Sequence, residues 1–173
     1  MTPVILRYGI IAGLIVSVPW LVYMLTLPAD GHMNHSMLLG YTLMIVAFSM
    51  VFVGVKQYRD RTQGGAIKFG TAFTLGLGIS GVASLIYVIG WEICMAFMKF
   101  DFSAFYAKVV MAQAKAAGAD EAKAAADAAS FTQMYANPLF RFPMTFLEIF
   151  PVGILVSLIS AGLLQNSRFM PAR

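Results

Sequence analysis

Apolar residues in this chain gather in long unbroken runs rather than in alternation. Four stand out: Tyr8 to Leu27, Met37 to Val55, Phe69 to Met98 and Met144 to Leu164. About 20 residues of α-helix, rising 1.5 Å each, cross a hydrocarbon layer of about 30 Å. Backbone groups in lipid must be satisfied within their own segment, so each run is predicted to be a helix. A membrane β-barrel needs alternating polarity, which these runs lack. The third run is the longest and is expected to tilt or to project beyond the bilayer.

The stretch between the third and fourth runs, residues 99–143, reads differently. Residues 103–117 and 119–136 are rich in Ala, Lys, Gln and Glu, which suit exposed helices. Gly118 interrupts them, Asp120 and Glu121 favour a new helix start, and Asn137-Pro138 ends the second helix. A helical hairpin is predicted, with Phe105, Tyr106, Phe131 and Tyr135 near the membrane interface. Lys123 and Asp127, four residues apart, can form a weak surface pair. The fold class that results is all-α: a polytopic membrane protein with four transmembrane helices in a bundle and an extracytoplasmic hairpin between the third and fourth. Residues 1–173 form one membrane domain in this reading.

Composition supports that choice of solvent. The 173 residues are 60% hydrophobic and 12% charged, with a mean hydropathy of +0.77. Soluble domains carry roughly 25% charged residues, so a water-soluble enzyme and a disordered chain are both excluded. The single cysteine, Cys94, lies in an apolar run and is read as a small core residue. The first run is too long for a cleaved secretory h-region and is read as a retained anchor.

Charge adds orientation. The net charge is +4 and the pI about 9.3. Arg7, Lys56, Arg59, Arg61, Lys68, Arg168 and Arg173 flank the spans on one side, against Asp60 alone. On the other side Lys99, Lys108, Lys115, Lys123 and Arg141 are balanced by Asp30, Asp101, Asp120, Glu121 and Asp127. The excess of basic residues assigns the first side, with both termini, to the cytoplasm. Membrane lipids are the expected partners, together with a second copy or another membrane subunit, and nucleic acid is not.

Chemistry-bearing residues are few. Glu92 and Glu148 lie near or within spans, where a charge costs at least about 2.5 kcal/mol at the bilayer centre. Counting from Phe69 and from Met144 puts the two carboxylates at similar depth in the outer leaflet, where they could share a proton, bind a cation or clamp a cationic substrate. The plainer alternative is that they bond to Tyr or Ser, or pair with Lys99 or Arg141. In the 30–37 loop, His32, Met33, His35 and Met37 offer imidazole and thioether ligands suited to copper or another soft metal. Gly9, Gly13 and Ser17 on the first run, and Gly153, Ser157 and Ala161 on the fourth, recur every four residues, a spacing that lets helices approach closely in lipid. No Ser–His triad, HExxH or CxxC pattern occurs, so no catalytic residues are assigned.

Ordered blocks of the chain carry a resemblance. They are Tyr58-Arg59-Asp60, Gly64-Gly65, Ile67, Phe69-Gly70 and Ala72-Phe73, then Ala83-Ser84, Ile86-Tyr87-Val88 and Trp91. Further on come Met134-Tyr135, Asn137-Pro138-Leu139-Phe140 and Thr145-Phe146-Leu147-Glu148-Ile149-Phe150-Pro151-Val152-Gly153. Together these blocks resemble the bacterial membrane proteins that contain the domain of unknown function 4199. The resemblance covers nearly the whole chain and implies a four-helix bacterial inner-membrane protein, with no activity attached. Its blocks include Arg59, Asp60 and Glu148, which join Glu92 as candidate binding residues; the His/Met loop lies outside them.

Three classes of function follow. The leading one is non-enzymatic binding of a lipid, a small solute or a partner subunit. A small transporter or channel-like oligomer using Glu92 and Glu148 is the second, and a membrane-embedded enzyme acting on a lipid-like substrate is the third. The absence of an assembled catalytic constellation favours the first.

Overall fold

Each apolar run becomes a helix, and all but the third extend past an apolar limit. The computed structural model describes residues 1–26, 37–98 and 101–172. Among them are six α-helices and no strand: α1 (Thr2–Thr26), α2 (Met37–Thr62), α3 (Phe69–Phe97), α4 (Phe102–Ala116), α5 (Glu121–Tyr135) and α6 (Pro138–Leu164). α1, α3 and α6, with Gly40–Thr62 of α2, are long and apolar enough to cross a membrane. α2 continues beyond Val55 because Lys56 and Asp60, one turn apart, pair at 2.5 Å along its polar end.

The start of α6 differs from expectation. Residues 138–143, read from the sequence with the outward segment, form its opening turns. Asn137 caps them by accepting the Leu139 N–H at 3.0 Å, and Pro138 occupies the first turn, where a missing N–H has no cost. Asp120 caps α5 in the same way, accepting from Ala122 and Lys123, while Gly118 turns the chain between α4 and α5 at φ 64°. No ion pair among the described residues joins Lys123 to Asp127.

Small residues set how the long helices meet. A Cβ on Gly9 would lie 2.6 Å from Val82 Cβ, one on Gly13 2.7 Å from Ile86 Cβ, and one on Gly90 3.1 Å from Ser17 Cβ. The partners advance together by one turn at each step, so α1 and α3 run parallel in close contact. On the other side of α3, Gly76 meets Ser157 and Gly153 meets Ser80, an antiparallel match. The Ser80 hydroxyl lies 3.1 Å from the Gly153 carbonyl and 3.2 Å from Ser157 Oγ. Both small-residue stripes therefore serve packing onto α3 within the chain. α2 closes the arrangement by touching α1 and α6. The shared core includes Phe48, Val51, Val55, Leu75, Ile79 and Ile149, and Cys94 is fully buried in a second cluster with Met24, Trp91 and Tyr135.

Candidate functional site

One end of the helices is built around Arg59. Its side chain is 0% exposed, which requires that its donors be satisfied. Nε donates to Asp60 at 2.7 Å, Nη1 to the carbonyls of Phe169 at 2.9 Å and Leu164 at 3.5 Å, and Nη2 to that of Met170 at 2.5 Å. Leu164 ends α6, so Arg59 occupies a helix-terminal carbonyl and fastens the tail behind it. Asp60 is held by Lys56 and Arg59 together. Both sequence candidates at this end thus lie in a network that secures the C-terminal segment.

Toward the other end, Glu92 of α3 meets Arg141 of α6. Arg141 Nε lies 2.8 Å from one carboxylate oxygen and Nη2 2.5 Å from the other. The planar guanidinium fits a carboxylate in this two-pronged manner. Its remaining Nη1 donates to the Tyr135 carbonyl at 3.1 Å, and its charge stands 5.7 Å from the Tyr135 ring centroid. The Tyr135 hydroxyl in turn accepts the Trp91 indole N–H at 2.7 Å. Burial, the largest influence on that hydroxyl, raises its pKa above the ordinary tyrosine value. Around this knot Trp91 stacks on Trp20 and meets Phe102 edge-on, while Tyr106 lies 4.6 Å from Phe131, centroid to centroid. The α4–α5 pair is therefore seated on α3 and α6 by aromatic rings around an ion pair.

Glu148 sits elsewhere. Arg141 is level with Glu92, and Glu148 lies two turns further along α6, about 10 Å deeper by helical rise. The two carboxylates are thus not at similar depth, contrary to the reading that started the fourth span at Met144. Glu148 lines a cavity of about 300 Å³ bounded by all four long helices. Trp20 from α1, Tyr41 and Met44 from α2, and Tyr87 from α3 share that lining. Glu92 is not among the lining residues. None of the ion pairs and side-chain hydrogen bonds found among the described residues ends on the Glu148 carboxylate. Glu148 is exposed at this opening, so its carboxylate can meet a cation that enters between the rings.

Of the four soft-metal candidates, His32, Met33 and His35 lie outside the described residues, as does the side chain of Met37. Among the described residues, no group of three His, Cys, Asp or Glu side chains is placed to hold a metal ion. The sequence had named Arg141 only as an alternative partner for Glu92, and it offered no signal for Trp20, Tyr41 and Tyr87 beside Glu148.

The family model described as "Protein of unknown function (DUF4199)" matches residues 7–166. The chain belongs to that family. No curated protein and no solved structure matches it.

Proposed function

We propose that this chain is a bacterial inner-membrane protein that binds a small organic cation, without chemical conversion, in the cavity beside Glu148. The observation that carries the reading is the pairing of one uncompensated carboxylate with three aromatic side chains, Trp20, Tyr41 and Tyr87, around a space of about 300 Å³. Ring faces attract a cation by their quadrupole, and the Glu148 carboxylate adds the opposite charge. The volume falls at the small end of ligand sites, which suits an alkylammonium group rather than a whole lipid.

In this reading the four long helices form a membrane bundle. The basic end with Arg7, Arg59, Arg61 and Arg168 faces the cytoplasm, and the α4–α5 hairpin stands on the outer face. The excess of Lys and Arg on one side supports that orientation. Labelling tests it: a membrane-impermeant thiol reagent applied to intact cells should modify Ala119→Cys in a Cys94→Ala background and spare Arg168→Cys. The reverse pattern overturns the topology.

Thermal unfolding of the detergent-solubilised chain tests the ligand. Benzyltrimethylammonium should raise the midpoint of the wild type by several degrees at saturation, and sodium at equal ionic strength should not. Glu148→Gln should abolish the benzyltrimethylammonium shift, and Tyr87→Leu should weaken it. Equal shifts in wild type and Glu148→Gln would remove the carboxylate from the site.

A further inference from the structure

We infer that the groove at the basic end, between α1, α2 and the C-terminal tail, binds the phosphodiester headgroup of an anionic phospholipid. The site is independent of the Glu148 cavity and does not rest on the reading given for it. The groove encloses about 660 Å³ and is lined by Tyr8, Val53, Lys56, Gln57, Arg61 and Met170, with Asp60 in its wall.

Its charge favours an anion. Asp60 is already shared by Lys56 and Arg59, so the one acid present is more than compensated. Arg61 is exposed and enters no ion pair among the described residues. Its guanidinium presents a donor fork that matches phosphate oxygens. Arg7 adds a second cation beside the groove, 5.8 Å from the centroid of the Tyr8 ring. The Tyr8 hydroxyl donates to Gln57 Oε1 at 2.7 Å, which turns the Gln57 amide so that its NH₂ is left for another acceptor.

The surroundings favour a lipid over a soluble phosphate. Met170 and Val53 are exposed apolar walls, and Val46, two turns along α2 from Val53, is exposed on the same face. That line offers an acyl chain a path from the headgroup into the hydrocarbon. The basic last turn of α2, with Arg59 and Arg61, stands where such a span reaches the headgroup layer.

Native mass spectrometry of the full chain in detergent, stripped of lipid, tests the site with three probes: phosphatidylglycerol, phosphatidylcholine and glycerol 3-phosphate. The expected result is one saturable phosphatidylglycerol adduct, with phosphatidylcholine and glycerol 3-phosphate binding at least tenfold more weakly. Arg61→Gln should lower phosphatidylglycerol affinity about tenfold and Arg61→Lys less. Arg168→Gln, an exposed cation at the same end but outside the groove lining, should leave it unchanged. Wild-type binding by Arg61→Gln overturns the site. Equal loss in Arg168→Gln also overturns it, by reducing the effect to general charge attraction, and equal binding of glycerol 3-phosphate makes the groove a phosphate site without a lipid.

Discussion

Arg141 lies across the carboxylate of Glu92 with two nitrogens on two oxygens, and this contact joins α3 to α6 where the chain enters α6 from the α5 end. The side chain of Arg141 is 10% exposed and that of Glu92 is 29% exposed. Removing one partner leaves the other charge partly desolvated. Arg141→Met or Glu92→Gln alone should therefore destabilise the fold by roughly 2–4 kcal/mol, reduced from the fully buried case by the exposure of Glu92. The double variant should lose clearly less than the sum. A double-mutant cycle by chemical denaturation in detergent measures this, and strict additivity would show that the pair contributes no coupling.

The Tyr135 hydroxyl satisfies the Trp91 indole at 2.7 Å. Tyr135→Phe should cost about 1–3 kcal/mol by leaving a buried donor unpaired, and should shift tryptophan fluorescence. Because burial raises the Tyr135 pKa above its ordinary value of 10.0, folding favours the neutral phenol. Its contribution is complete below the unfolded value and falls as pH climbs above it through the folded one. Unfolding midpoints between pH 9 and pH 11 should decline more steeply in wild type than in Tyr135→Phe.

Close helix contact makes Gly13 sensitive to a single methyl group. Its added Cβ would meet Ile86 Cβ at 2.7 Å, at the branch point of a stiff side chain. Gly13→Ala should cost about 1–3 kcal/mol as α1 moves off α3. Gly162→Ala, where nothing lies within 4 Å, is the control and should be neutral or stabilising by up to about 1 kcal/mol. Comparable losses at both positions would contradict the α1–α3 seam.

Arg59 fastens residues 164–170 through three carbonyls. Arg59→Lys keeps the charge but loses the planar fork. It should raise amide hydrogen exchange over 165–172 at least tenfold while the centres of α1 and α3 stay protected. Unchanged exchange in the tail would show that the carbonyl contacts do not hold it.

The long helices were legible because lipid leaves the backbone no other way to satisfy its polar groups. The break at Gly118 and the caps at Asp120 and Asn137 were legible because their chemistry is local. The partner of Glu92 was only one of several alternatives, since Arg141 lies 49 residues away in sequence. Starting the fourth span at Met144 excluded Arg141 from the helix and moved Glu148 too close to the surface. Arg59 read as one of several topological cations, because nothing in a run of basic residues indicates which of them folds inward onto the tail carbonyls. The rings around Glu148 come from three separate helices, and no spacing within a single helix brings them together.

The parallel seam between α1 and α3 makes chain order and spatial order differ. When the first two helices have left the ribosome, the surface that Gly9 and Gly13 match, at Val82 and Ile86, has not yet been synthesised. Tight docking of the first helix waits for the third, and α6 arrives last to close against both α2 and α3. A nascent chain halted after its second helix would hold only the α1–α2 contact of the final arrangement.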